Sequence, residues 1–135
     1  MSLPDINAII RTYLTTSSAL VDPFIALIGS DIFCPRAPEN ADLPNVTFFT
    51  RGGRSTPYIP DLASPSLQFD CWADDPIEAR EIYRSLYDAL QGVQNVAVGS
   101  YTILSAIEEV QGQDLVDTDI PGRFRVLSFW EIMIK

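Results

Sequence analysis

The sequence contains no histidine, and that absence excludes several kinds of active site. Ser–His–Asp and Cys–His catalysis need an imidazole base, and most zinc and iron sites use imidazole ligands. Lys135, the final residue, is the single lysine, so a Ser–Lys dyad would depend on the end of the chain. We therefore expect a protein that is not an enzyme and that binds no cofactor and no metal.

Cysteine is scarce, and long apolar runs are missing. Cys34 and Cys71 are too few for a disulfide framework, which favours a reducing compartment. No apolar run approaches the roughly 20 residues that span a bilayer. The first ten residues lack the basic start and apolar stretch of a signal peptide. We therefore expect synthesis in the cytoplasm and no membrane partner.

Basic residues are outnumbered two to one, with 9 Lys and Arg against 18 Asp and Glu, and the net charge is −9. A negative chain is a poor binder of double-stranded DNA or RNA. Arg36, Arg51 and Arg54 lie in the first half, whereas no basic residue occurs between Arg84 and Arg123. The length of 135 residues and a hydrophobic content of 47% predict a single folded domain over residues 1–135.

Residues 65–93 organise the chain, because their hydrophobic period changes from two to that of a helix. Apolar side chains alternate along the first half, at Leu67, Phe69, Cys71 and Ala73. Asp75 is then placed to cap a helix whose first turn accepts Pro76. Apolar residues follow at helical spacing, at Ile82, Leu86, Ala89, Leu90 and Val93. The pattern predicts a strand that runs directly into a helix.

The other segments predict the order α-β-β-β-α-β-β. This is an α+β fold, with a largely antiparallel or mixed sheet of four to five strands and two main helices packed on one face. We expect an acidic turn over residues 111–122 and a last strand over residues 123–134. That strand is apolar on both faces, so it is either central under helices or covered by another subunit.

An extended loop or hairpin arm is expected at about residues 50–66, a segment rich in glycine and proline. Arg51 and Arg54 flank a Gly-Gly pair, and Tyr58 and Ile59 lie between prolines. One interpretation is a flexible hairpin tip. The other is a contact arm in which these four residues meet a partner, because Arg and exposed aromatic side chains suit interfaces.

Residues 117–122 share the start of a calcium-binding loop, with Asp117, Asp119 and Gly122 at the first, third and sixth positions. The twelfth position, where a bidentate Glu is required, is Ser128. The pattern therefore does not predict a metal site.

The order of these signals resembles the tail-completion, or tail-terminator, proteins of long-tailed bacteriophages. The resemblance covers most of the chain and includes residues 32–38 (IFCPRAP), 43–48 (LPNVTF), 68–73 (QFDCWA), 78–80 (EAR) and 123–126 (RFRV). It implies a homo-oligomeric ring, commonly of six subunits, that caps the tail tube and joins it to the head connector. The implied location is the virion tail, after assembly in the cytoplasm of the bacterial host.

In such a ring, DNA would pass through the lumen without being bound specifically. Asp114, Asp117 and Asp119 would then line the channel and repel the phosphates. Alternatively, these acidic residues only keep an exposed loop solvated.

Two other functions remain open on the sequence. One is a head-completion or connector ring protein, which would bind the portal side. The other, from a different class, is a small cytoplasmic α+β domain that binds a ligand or regulates an enzyme.

Overall fold

The computed structural model describes residues 4–38, 42–54, 58, 62–116 and 122–135, except for the side chains of Arg54 and Val116. The helices are α1 (Ile6–Thr15), α2 (Asp22–Ile28) and α3 (Pro76–Leu90). The strands are β1 (Ile32–Phe33), β2 (Asn45–Arg54), β3 (Ser64–Ala73), β4 (Gln94–Val98), β5 (Tyr101–Val116) and β6 (Phe124–Ile134).

The six strands form one mixed sheet in the order β1-β2-β3-β6-β5-β4. β1 and β2 pair in parallel, and all the other neighbours are antiparallel. The expected α+β class and largely antiparallel sheet are therefore confirmed. The expected element order and strand count are wrong, because α2 and β4 were not predicted. β6 lies between β3 and β5, so it is a central strand, which is one of the two alternatives that its apolar residues predict.

Two of the helices begin at aspartate caps, and that of Asp75 is the one predicted above. Asp5 accepts a hydrogen bond from the backbone N–H of Ala8 at 3.2 Å, which caps α1. Asp75 accepts one from Ile77 at 2.9 Å, and Pro76 occupies the first turn of α3. A side-chain oxygen at this position satisfies one of the free N–H groups of the first turn. The strand-to-helix junction after β3 is therefore encoded locally.

The core lies between the three helices and one face of the sheet. Phe48 and Phe69 stack there with ring centroids 5.4 Å apart, and Trp130 is fully buried beside Tyr87. The hydroxyl of Tyr13 donates to the carbonyl oxygen of Ala89 at 2.6 Å, so it joins α1 to α3. Replacement of a fully buried aromatic residue such as Phe48, Phe69 or Trp130 by alanine costs about 3–5 kcal/mol of folding stability.

Strand pairing continues into the segment that was expected to be a loop arm. Arg54 pairs with Ser64, and Gly53 pairs with Pro65. A Cβ atom on Gly53 would lie 2.3 Å from the carbonyl oxygen of Ser64, so this close approach requires glycine. Ala63 then forms an isolated bridge with Ile134, which ties the base of the arm to β6.

The acidic turn predicted over residues 111–122 is also partly strand. β5 continues to Val116 and remains paired with β6, although the register shifts at three places. These irregularities break the alternation of polar and apolar residues, which is why the sequence pattern was misread as a turn. The two strands form a long hairpin, called here the distal hairpin (residues 110–116 and 122–127).

Candidate functional site

The sheet has a second face, on the side opposite the core, and it carries most of the charged side chains of the central strands β3 and β6. The register aligns these residues in rows across β2, β3, β6 and β5. We define this outer face by Asn45, Thr47, Phe49, Arg51, Ser66, Gln68, Asp70, Trp72, Ile107, Val110, Arg125, Leu127, Phe129 and Glu131.

Arg51 is held against this face instead of extending from the arm. Its guanidinium carbon lies 4.1 Å from the centroid of the Phe129 ring. Its Nε atom donates to the hydroxyl of Ser66 at 3.3 Å, and that hydroxyl donates to Glu109 at 2.7 Å. The chain of contacts joins four strands, so Arg51 is positioned by its own subunit while it stays exposed.

A second cluster surrounds Trp72 at the end of β3. The indole Nε1 donates to the hydroxyl of Thr47 at 3.1 Å, which fixes the plane of the ring. The guanidinium carbons of Arg123 and Arg125 lie 4.9 and 5.3 Å from the ring centroid. Both distances fall within the range of cation–π attraction.

Asp70 partly neutralises this cluster. Its carboxylate lies 3.4 Å from Nη1 of Arg125, and the residue is 5% exposed. Burial raises the pKa of Asp70, and the hydrogen bond from Gln68 and the charge of Arg125 oppose that rise. The cluster of Trp72 with its two arginines therefore keeps an excess of positive charge on a strongly acidic chain.

The outer face also exposes aliphatic side chains. Ile107 is 55% exposed and Val110 is 39% exposed, and Val110 is the register partner of Phe129. Leu127 is half-buried in the next row. Exposed apolar residues beside arginine and aromatic side chains are typical of a protein interface.

On the core side of the sheet, a polar cluster attaches the distal hairpin to α3. Nη1 of Arg80 donates to the carbonyl oxygen of Gly112 at 3.0 Å and lies 3.8 Å from the carboxylate of Asp114. The hydroxyl of Tyr83 donates to Glu108 at 2.5 Å. Burial, followed by this hydrogen bond to Glu108, raises the pKa of Tyr83 to about 12.

The consecutive residues Glu108 and Glu109 have partners on opposite sides of the sheet. Glu108 contacts Tyr83 on α3, whereas Glu109 contacts Ser66 on the outer face. Consecutive residues of a strand face opposite sides of the sheet, and this separation prevents the two carboxylates from acting as a pair on one substrate.

The four predicted contact residues do not share one position in the structure. Arg51 folds back on the sheet, and Arg54 pairs through its backbone with Ser64. Tyr58 is 91% exposed, as a contact arm requires. Ile59 lies outside the described residues.

Of the predicted channel-lining residues, Asp114 is described, and Asp117 and Asp119 lie outside the described residues. The Asp114 side chain is 71% exposed and is close to Arg80, which is itself 43% exposed. An exposed pair of this kind is worth about 0–1 kcal/mol, so it leaves the carboxylate largely available.

The sequence analysis did not predict a functional site at Trp72, Arg123 and Arg125. Its signal was the spacing of Arg123 and Arg125, which places both on the same face of one strand. That they meet Trp72 depends on the pairing of β3 with β6, in which Trp72 is opposite Arg125. The pairing joins residues far apart in the chain, so the local pattern did not reveal it.

Reactive side chains within the described ranges are dispersed or buried. These residues include no group of three or more Cys, Asp or Glu side chains that could hold a metal ion. Cys71 is fully buried, and burial raises the pKa of its thiol, with the charge of Asp70 adding to the rise.

The longest described helix, α3, has 15 residues, and none of the described helices meets the length and hydropathy needed to span a membrane.

No protein-family model and no curated protein matches this chain. Solved structures with a similar fold do exist. One is a chain of the structure titled "Virion of native gene transfer agent (GTA) particle". The two chains align over 96% of this chain and 93% of the other, with a TM-score of 0.62 and 13% sequence identity. At that identity the likeness establishes a common fold.

Proposed function

We propose that this chain is a structural protein of a virion, and that it acts as a tail terminator. In this role it forms a ring, commonly of six subunits, that caps the tail tube and joins it to the head connector. The observation that carries the proposal is the fold that the chain shares, over nearly its whole length, with a chain of a virion. The resemblance to tail-terminator proteins independently favours the same kind of particle.

The outer face supports self-association. It combines the Arg51–Phe129 stack and the Trp72 cluster with the exposed side chains of Ile107 and Val110. Arginine and aromatic residues are enriched where protein interfaces are most stabilising. A second copy that covers this face would bury the apolar residues.

The negative charge of the chain supports a ring whose lumen lets DNA pass without binding it. The chain has a net charge of −9, and Asp114 is exposed on the distal hairpin. A negative wall repels phosphates, so DNA slides past instead of adhering. Asp117 and Asp119 continue this acidic segment in the sequence.

A structural role also agrees with the chemistry of the described side chains. The buried Cys71 thiol has a raised pKa, so its reactive thiolate form is disfavoured. Glu108 and Glu109 are separated by the sheet. Binding and assembly need no reactive group of this kind.

Electron microscopy of particles assembled without this protein tests the proposal. Tail termination predicts overlong tails or tails without heads, and normal particles should return when the wild-type chain is supplied. Tails of normal length beside heads that lack tails would indicate a connector ring instead. Particles of normal form and infectivity would refute a structural role.

A further inference from the structure

An uncharged groove lies between the end of α1 and the edge strand β4. It has a volume of about 360 Å³. Its lining residues are all uncharged: Thr12, Tyr13, Thr16, Ser18, Ala19, Leu20, Val96, Ala97, Val98 and Gly99. Leu20 is 50% exposed at its rim. The groove is therefore an apolar surface that water reaches.

The absence of charge at this groove is unusual for this chain. Residues 12–21 and 89–107 are its two longest stretches without Asp, Glu, Lys or Arg, and the fold brings parts of both together here. A charged segment placed in the groove would lose its hydration without gaining a partner of opposite charge. An occupant that fits is therefore uncharged and at least partly apolar.

The edge of β4 offers backbone hydrogen bonds next to the groove. Thr102 exchanges backbone hydrogen bonds of 2.9 and 3.0 Å with Lys135, so its N–H and C=O groups point away from β4. Its partner Ala97 is therefore in a non-hydrogen-bonded pair, and the N–H and C=O groups of Ala97 point outward. No described strand pairs with this side of β4. The edge also lacks the lysine and proline that commonly block strand addition.

The chain itself contains a segment of matching chemistry in the sequence that connects β2 to β3. Residues 55–60 (STPYIP) carry no charge and contain Tyr58, which is 91% exposed. A tyrosine has an apolar ring and a polar tip, so it fits a groove whose walls are apolar and whose rim is wet. Tyr58 does not line the groove of its own chain, so the groove considered for it is that of another copy.

The arm and the groove lie at the same end of the sheet but towards opposite edges. Ala63, at the base of the arm, bridges to Ile134, and Ile134 pairs with Ile103 next to β4. In the strand order, the arm belongs to β2 and β3, whereas the groove lies at β4 on the far edge. Contact between two different surfaces of this kind is head-to-tail, and it generates a ring when the rotation closes.

From these observations we infer that Tyr58 of one subunit docks in the groove between α1 and β4 of the next subunit, with short strand pairing to Ala97. The inference rests on the proposed ring and deepens it, because it names both halves of one subunit contact. It assigns the exposed aromatic residue of the arm to an uncharged site on a second copy of this chain.

Cysteine cross-linking between two differently tagged chains tests this contact, with Cys34 replaced by Ser in both. One chain carries Tyr58→Cys and the other carries Leu20→Cys. The matched control replaces Leu20→Cys by Ile77→Cys, because Ile77 is also exposed, at 76%, but lies at the start of α3. Docking predicts that the mixed disulfide forms about tenfold or more faster with Leu20→Cys than with Ile77→Cys, since docking raises the local thiol concentration.

Equal yields from the two mixtures would overturn the inference. So would a dominant disulfide between two Leu20→Cys chains, which would mean that the β4 edges of two copies meet each other. A second measurement uses the mass in solution of Tyr58→Ser and Leu20→Asp. Both variants should shift the chain to smaller species, whereas Tyr58→Phe should retain the wild-type mass. If all three match the wild-type mass, the docking is refuted.

Failure of the docking contact and failure of the proposed virion function give different experimental results. If Tyr58→Ser particles have normal tails and contain the protein, docking fails while the virion role stands. If the protein is missing from virions but the cross-link forms selectively, the contact stands and the virion role fails.

Discussion

Nη1 of Arg80 donates a hydrogen bond of 3.0 Å to the carbonyl oxygen of Gly112, and this bond attaches α3 to the distal hairpin. The same guanidinium lies over the ring of Tyr83, at 5.2 Å from its centroid. Because Gly112 lacks a side chain, β5 approaches the helix closely at this point. The direction of the distal hairpin therefore depends on contacts made at one glycine.

Substitution of that glycine should destabilise the fold. In Gly112→Ala, the new methyl group would lie 2.7 Å from Val126, 2.8 Å from Arg80 and 2.9 Å from Tyr83. Overpacking of this kind typically costs about 1–3 kcal/mol. Urea denaturation measures the free energy of unfolding, with the exposed neighbour Gln113→Ala as the control. Equal stability of the two variants would show that the approach is looser than described.

The raised pKa of Tyr83 predicts a loss of stability in alkali. The folded chain holds the phenolic proton more tightly than the unfolded chain, with a pKa of about 12 against the ordinary 10.0. This contribution is complete below pH 10 and is lost as the pH rises through about 12. Wild type should therefore lose stability relative to Tyr83→Phe over that interval. A constant difference between the two chains would contradict the prediction.

Asp70 predicts a second pH effect, near the ordinary carboxyl range. Its pKa is raised above 3.8 by burial, so its contribution to stability is complete at low pH and falls as the pH rises through the folded value. Relative to Asp70→Asn, wild type should lose stability as the pH rises above the ordinary carboxyl pKa of 3.8. Chemical denaturation at several pH values measures this. A relative gain by wild type would mean that Arg125 dominates over burial.

Arg51 should contribute modestly to the stability of the outer face. Arg51→Ala removes the stack on Phe129 and the hydrogen bond to Ser66, for a cost of about 0.5–1 kcal/mol at an exposed site. Arg51→Lys keeps the charge without the planar group and should recover only part of that cost. Thermal unfolding of the three chains provides the comparison. Full recovery by lysine would assign the effect to charge alone.

The acidic segment makes a prediction about DNA rather than stability. Replacement of Asp114, Asp117 and Asp119 by Asn should leave particle assembly intact, because the Asp114–Arg80 pair is exposed and weak. If these residues line the channel, the loss of repulsion should slow the ejection of DNA from intact particles. Unchanged ejection kinetics would mean that the carboxylates only solvate the hairpin.

The sequence predicted the elements whose signals are local. The β3–α3 junction has both an alternating strand and the Asp75 cap, and both are present. α2 was missed because its seven residues are nearly all apolar, so they show no helical period. β4 was missed because Gln94–Val98 becomes a strand through its pairing with β5.

Part of the candidate site was predictable for the same reason. The segment between prolines predicted an exposed side chain at Tyr58, and Tyr58 is exposed, whereas the contact arm stays a prediction. The Trp72 cluster and the uncharged groove each join segments that are distant in the chain. Their existence depends on the strand order β3-β6-β5-β4, which no single segment encodes.

The protein content of purified virions tests the central claim most directly. Quantitative mass spectrometry should detect this chain in intact particles at a low and fixed stoichiometry, of about six copies per tail for a single closed ring. Its absence from purified, infectious virions would contradict the claim that the chain is a structural part of the particle.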